Sequence, residues 1–230
     1  AGISDDERDN YLAGVRDSLF DGQKVRVDYQ SNIHFATETG ADAEHTLVLM
    51  ADHENEAVEA RSAFVNVDRD IASTGLAAEY RIGLMERLFL SAGLRHDDND
   101  LFDDATTWRA TAAYLLPRLG TRLHASAGTG VKNPTIFELY GFAANFTGNP
   151  NLQPEESRGY DAGVEQTFWS GRAVADITWF ANRIDNLLNG SGLTPLHVPG
   201  TSPIHGVETS LPPRTTASLF VSASHLYAHR

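Results

Sequence analysis

Five aspartates crowd one short stretch of the chain, Asp97, Asp98, Asp100, Asp103 and Asp104, and carboxylate oxygens are the ligands that calcium takes. The stretch has neither the glycine at the sixth position nor the glutamate at the twelfth that an EF-hand loop requires, so it reads as a solvated acidic loop. Such a loop could also meet divalent ions held by lipopolysaccharide. The nine histidines, among them His34, His45, His53, His124, His205 and His225, follow no H-E-x-x-H or similar ligand spacing. They read as polar strand and loop residues rather than metal ligands. There is no cysteine, which removes thiolate nucleophiles, disulfides and cysteine metal sites. No G-x-S-x-G element or glycine-rich phosphate loop occurs, and no carboxylate pair stands out from the many present. The expectation is a protein that is not an enzyme, with no catalytic residue, no metal site and no cofactor. With 31 acidic residues against 18 basic ones, and no basic run to offset them, nucleic acid is not expected as a partner.

The elements that would carry these residues are strands. Val25, Val27, Tyr29, Ile33 and Phe35 alternate with Arg26, Asp28, Gln30, Asn32 and His34. Leu88, Leu90, Ala92 and Leu94 alternate with Arg87, Phe89, Ser91, Gly93 and Arg95. Trp108, Ala110, Ala112 and Tyr114 alternate with Thr107, Arg109, Thr111 and Ala113. The pattern continues through Tyr160, Ala162 and Val164, through Ile177 and Trp179, and through Ala217, Leu219, Val221 and Ala223. Side chains of a strand point to opposite faces in turn, so each segment has one apolar and one polar face. Apolar residues three and four apart, the mark of a helix, are not found. About ten such segments follow one another, most of them near the length a tilted strand needs to cross a bilayer.

Connections alternate between short and long. The short ones are Thr39 to Ala43, Leu84 to Arg87, Leu116 to Gly120, Trp169 to Arg172 and Leu211 to Arg214. The long ones are Glu54 to Ile71, His96 to Ala105, Lys132 to Ser157 and Leu187 to Pro203. Outer-membrane barrels have short periplasmic turns and long extracellular loops. Trp108, Tyr160, Phe168, Trp169, Trp179 and Tyr227 lie near strand ends, where interfacial aromatic girdles sit. The predicted fold is therefore all-β, an antiparallel up-and-down transmembrane β-barrel. A soluble β-sandwich also alternates, but its inner face would carry bulky residues rather than this many alanines. No run of eighteen apolar residues is present, so no transmembrane helix is predicted, and the acidic start does not read as a signal peptide.

One stretch carries more. It reads L-H-A-S-A-G-T-G-V-K-N-P-T-I-F-E-L-Y-G-F from Leu123, then T-G-N-P-N-L-Q-P-E-E-S-R-G-Y-D-A-G-V-E-Q, then D-I-T-W-F-A-N-R-I-D-N-L-L. In this order the motifs resemble the barrel of TonB-dependent receptors, especially the cobalamin-transporter-like branch. The likeness falls on Gly130 to Thr135, Glu138 to Gly141, Gly148 to Glu155 and Asp161 to Glu165. Gly93 to Arg109 and Gly206-Val207-Glu208 resemble neighbouring strands of the same family. Asn133 stands where alanine is common and Asp103 where glycine is common. The Gly148 to Glu155 run reads first as structural: Gly148 and Asn149 tolerate positive φ, and Pro150 and Pro154 remove donors. Pro134 is expected to end strand pairing.

The resemblance implies that residues 1–230 are part of a larger barrel, with further strands and a plug domain outside them. It implies TonB-energised uptake of a scarce ligand (cobalamin, an iron–siderophore, haem or a glycan) across the outer membrane of a Gram-negative bacterium. The implied partners are that small-molecule ligand, outer-membrane lipid and lipopolysaccharide, and TonB through the plug. Loop aromatics Phe137, Tyr140, Phe142 and Phe146 are the candidate ligand contacts, with packing of the turn as their alternative role. A passive porin-like barrel and a soluble β-rich carbohydrate-binding module are the alternative functions, and an outer-membrane enzyme is a weaker one.

Overall fold

A computed structural model describes residues 2–12, 15–37, 42–62, 66–141, 146–189, 193–211 and 223–229. The strands in chain order are β1 (Gly2–Leu12), β2 (Val15–Thr37), β3 (Ala43–Arg61), β4 (Asn66–Leu84), β5 (Leu88–Asn99), β6 (Ala105–Leu116) and β7 (Thr121–Lys132). A short helix α1 (Ile136–Tyr140) follows, then β8 (Glu155–Phe168), β9 (Ala173–Asp185), β10 (Leu188–Asn189), β11 (Leu196–His197), β12 (Ser202–Leu211) and β13 (Ala223–His229). Among the described residues, eleven strands form one sheet in the order β1-β2-β3-β4-β5-β6-β7-β8-β9-β12-β13, while β10 and β11 pair with each other. Each neighbour pair in the large sheet is antiparallel. This is an up-and-down meander, open between β1 and β13.

The faces are inverted relative to a soluble protein. Leu94 is 62% exposed, Leu76 58% and Ile177 56%, all on one face of the sheet. Among the described residues only eight hydrophobic side chains are buried, and Ile136, Leu139 and Leu152 of these belong to one long connection rather than to a sheet face. A sandwich would bury its apolar face against a second sheet. Here that face looks outward, as a wall bathed in lipid requires. Tyr114, Phe168 and Trp169 stand out from the wall near the short-turn ends, and Trp108 and Tyr160 nearer the other ends. At the short-turn end His45 is held between Phe35, with ring centroids 4.6 Å apart, and Tyr80, whose hydroxyl lies 2.6 Å from Nδ1.

Three expectations are corrected. The stretch from Glu54 to Ile71 is not a long loop: β3 and β4 run on as 19-residue strands paired from Ala43/Leu84 out to Arg61/Asn66. At about 3.3 Å per residue each spans roughly 60 Å, far more than an apolar band of about 25 Å needs. Beyond the lipid both faces meet water, so alternation fades while pairing continues. For the same reason β2 begins at Val15 rather than Val25. The third correction is α1, a helix where none is predicted. Thr135 and Glu138 cap it reciprocally, so the local signal is a T-x-x-E capping box. Pro134 does end pairing, with β7 stopping at Lys132. The strand predicted over Ala217 to Ala223 and the turn from Leu211 to Arg214 fall, apart from Ala223 at the start of β13 and Leu211, outside the described residues, as does most of the Thr39 to Ala43 turn.

The turn between β4 and β5 puts both central residues, Met85 (φ 52°) and Glu86 (φ 55°), in the left-handed region, closed by Arg87 N–H donating to the Leu84 carbonyl at 2.9 Å. That is type I′ geometry, which Asn-Gly adopts with less strain. Met85→Asn/Glu86→Gly is expected to raise stability by about 1 kcal/mol. A urea unfolding midpoint, in detergent, that fails to rise would refute this.

Candidate ligand-facing wall and loop cluster

The concave face of the sheet borders a trough of about 980 Å³ lined by residues of β2 to β8. Several of its charges are held in pairs. Arg95 on β5 donates both terminal nitrogens to Asp52 on β3, at 2.7 and 3.1 Å, and binds Asp97 at 2.6 and 3.0 Å. Arg26 stands 3.7 Å from Asp52 and 3.6 Å from Glu54, and Lys24 is 2.6 Å from Glu54. The Arg95–Asp52 bridge crosses the whole width of β4. It does so over Gly75, where a Cβ would lie 2.0 Å from Arg95 Nη2.

The device recurs. His124 on β7 reaches across β8 to Asp176 on β9, Nε2 to Oδ2 at 2.8 Å. The residue beneath is Gly163, whose Cβ would come within 2.5 Å of His124 and of the Thr178 hydroxyl. Asp176 also accepts from Thr178 at 2.7 Å, and Asp161 accepts from Ser126. Glycine inside a strand marks a close approach, and here it makes room for an ion pair in one case and a histidine–carboxylate hydrogen bond in the other, each reaching the second-neighbour strand. The polar groups of these bridges are thus already satisfied, as a wet lumen requires.

Above the trough, two long connections close on each other. In residues 133–154, α1 buries Ile136 and Leu139. Gly141 (φ 55°) and Gly148 lie back to back, a Cβ on Gly148 meeting Gly141 N at 2.4 Å and the Leu139 carbonyl oxygen at 2.5 Å. The connection over 186–201 joins them: Thr147 N–H donates to Leu193 O at 2.7 Å, Asn149 Nδ2 to Pro195 O at 3.2 Å, and Gln153 N–H to His197 Nε2 at 3.0 Å. Gly148 is thus structural, as expected, but through backbone contact: its φ is not positive.

Of the candidate contacts, Phe137 and Phe146 stack on one another with centroids 4.3 Å apart. Tyr140 lies under the Arg69 guanidinium of β4, 4.9 Å from the ring centre, so the loop leans back over the trough towards a strand three places before β7 in the sheet. All three are half-buried, and Phe142 lies outside the described residues. The acidic stretch does not converge: Asp97 faces inward onto Arg95, Asp104 is 3.9 Å from His96, and Asn99 caps the turn by accepting from the N–H groups of Leu101 and Phe102. Among the described residues no three histidine or carboxylate side chains are placed to share a metal ion. Three histidines instead face a threonine directly across a strand pair: His34 with Thr46, His53 with Thr74 and His96 with Thr106, each at 2.9 Å. Neither the two side-chain bridges over glycine nor the Arg69–Tyr140 contact is anticipated from sequence. Mid-strand glycines Gly75 and Gly163 are the available signal for the former.

A family model described as TonB dependent receptor-like, beta-barrel matches residues 3–226. The vitamin B12 transporter BtuB of Photobacterium profundum is 34% identical over 125 residues, which are 53% of this chain and 18% of the transporter. Among solved structures, the siderophore receptor PirA from Pseudomonas aeruginosa superposes with a TM-score of 0.77 at 19% identity, over 92% of this chain and 43% of the receptor. The Serratia marcescens hemophore receptor HasR, solved with its hemophore HasA and heme, gives 0.74 at 16% identity, over 93% of this chain and 42% of the receptor. At these identities the structures establish the fold, and the chain spans less than half the length of either receptor.

Proposed function

The chain belongs to the TonB-dependent receptor β-barrel family, and on that premise we propose that it forms wall and outer loops of a receptor for energised uptake across a Gram-negative outer membrane. The proteins it matches are transporters and receptors rather than enzymes. On this reading the long connections face outside, the short turns face the periplasm, and the outward face meets lipid and lipopolysaccharide. A plug outside residues 1–230 fills the trough and takes the pull of TonB. The cargo is a scarce, bulky molecule of the kind the relatives' names carry, vitamin B12, a siderophore or heme, with a glycan as a further class.

The observation that carries this reading is the combination of an outward apolar face with a concave face on which most arginines are already paired with carboxylates, capped by a loop cluster that leans over the opening. Fixed, satisfied charges let a polar cargo pass without being trapped. The half-buried aromatics Phe137, Tyr140 and Phe146 offer stacking surface at the mouth, the chemistry of a pocket that holds a large ring system or chelate.

The test is uptake by cells carrying the whole protein, with labelled cobalamin, a ferric siderophore and haem offered separately, with and without TonB. Saturable uptake of one cargo that disappears without TonB is expected. Uptake that is linear in concentration and indifferent to TonB would overturn the proposal in favour of a passive pore. With the cargo known, Phe137→Ala/Tyr140→Ala/Phe146→Ala is expected to weaken its binding about tenfold or more. Unchanged affinity would return these residues to loop packing alone.

A further inference from the structure

On the outward face, Arg158 of β8 stands directly opposite Arg183 of β9 in the strand register. Both are exposed. Among the described residues neither forms an ion pair, whereas the outward Arg61 of β3 is tied to Glu59 at 2.8 Å. Directly opposed residues have Cβ atoms about 5 Å apart, and like charges there destabilise the pair. In a chain of net charge −13, two unpaired arginines held face to face are a local excess of the scarcer sign.

Their height on the wall says what neutralises them. From Phe168, at the short turn, the outward face of β8 runs Gln166, whose amide is tied to Thr121 and the turn carbonyls, then Val164, Ala162, Tyr160 and Arg158. Ten residues at about 3.3 Å, tilted by about 40°, rise roughly 25 Å, the height of the apolar band. The arginines therefore sit one step beyond Tyr160 and Ala181, where lipid headgroups begin. Thr129 of β7 and Pro203 of β12 complete that row on either side. Glu156 and Asp185 oppose each other one step further out, and Asp185 is engaged by the Thr201 hydroxyl at 2.5 Å.

We infer that Arg158 and Arg183 form a site for the phosphate of an outer-leaflet lipid headgroup, held in place on the barrel wall. Two guanidinium groups from adjacent strands suit one phosphate, whose oxygens accept from both. The acyl chains then lie down the apolar face below Tyr160, and a divalent cation between the lipid's other anionic groups and Glu156 and Asp185 fits the charges beyond. The site rests on the orientation proposed above, with the long connections outside.

The experiment uses the whole protein that carries this chain, purified in detergent and delipidated, titrated with bisphosphorylated lipid A, with the dephosphorylated lipid, and with inorganic phosphate. Arg158→Ala/Arg183→Ala is expected to weaken binding of the phosphorylated lipid about tenfold, each charge near a membrane surface contributing a comparable share. Arg158→Lys/Arg183→Lys should keep most of the binding. Arg118→Ala/Arg172→Ala, two exposed arginines at the short turns, should leave it unchanged. Equal binding by the alanine pair, equal loss in the short-turn pair, equal binding of dephosphorylated lipid, or inorganic phosphate binding as tightly as the lipid would each overturn the site. Arg158→Gln/Arg183→Gln removes the same charges and must show the same loss should the alanine pair fail to fold. Circular dichroism separates the two levels: a wild-type protein that forms no β-barrel in detergent defeats the transport reading, while a folded alanine pair with undiminished lipid binding defeats only this site.

Discussion

Gly148→Val is expected to detach the outer loop cluster while leaving the sheet folded. A Cβ at this position would lie 2.4 Å from Gly141 N and from the Tyr140 carbonyl carbon, and 2.5 Å from Leu139 O. All three are backbone atoms, so no side chain can swing aside. Relief has to come from moving residues 139–141 and 147–149 apart. That movement would strain the bonds from Asn149 N–H to Glu138 O at 2.9 Å and from Thr147 N–H to Leu193 O at 2.7 Å, so the second connection is drawn in as well. Ile136, Leu139 and Leu152, buried in this cluster, would be opened to water. Forcing volume into a packed site costs about 1–3 kcal/mol, and more where backbone must shift. Cargo binding should fall about a hundredfold if the mouth aromatics act together. Hydrogen exchange is the first measurement: residues 136–141 and 147–152 should lose protection while β5 to β8 keep theirs. Unchanged protection in the cluster would refute the close-packing argument at its root.

The second large effect is expected from the trough. Arg95→Met leaves Asp52, whose side chain is 7% exposed, without its bidentate partner, and leaves Asp97 unpaired nearby. Breaking a buried pair by removing one partner costs about 3–5 kcal/mol. Arg26 at 3.7 Å remains to Asp52, and Arg95 is itself 30% exposed, so about 2–3 kcal/mol is the expected loss here. Gly75→Ala attacks the same bridge from below, because its Cβ would occupy the path of the guanidinium, 2.0 Å from Nη2 and 2.6 Å from Cζ. Each single change should lower the urea midpoint, and the double variant should lie close to the worse single one, since both remove the same interaction. Strict additivity of the two would show that Gly75 acts on something other than the bridge. The equivalent cycle with His124 and Gly163 would ask whether the repeated device is worth a similar amount at the other end of the trough.

How far each of these features can be read in the chain varies with range. Leu88, Leu90, Ala92 and Leu94 announce β5 and its outward face because a strand repeats every two residues, and that period is written locally. The T-x-x-E that caps α1 is equally local and equally legible. The paired extension of β3 and β4 is not, because Glu54, Glu56 and Glu59 lie beyond the lipid, where no apolar environment sorts one face from the other.

The amino-acid sequence by itself determined the alternating parts of most strands, their apolar side, the turns at Leu84 to Arg87, Leu116 to Gly120 and Trp169 to Arg172 and the likeness to a family, since all of these depend on residues within one segment or on ordered short motifs. Only the tertiary structure decided which groups meet. Arg95 and Asp52 are 43 residues apart and touch because a glycine of the intervening strand leaves room between them. Gly148 is needed because the chain folds back on Gly141 and then meets Leu193. Arg158 and Arg183 oppose each other through the register of two strands. Register and second-neighbour contact follow from how strands align across the sheet, and a period read along one strand holds no information on that alignment.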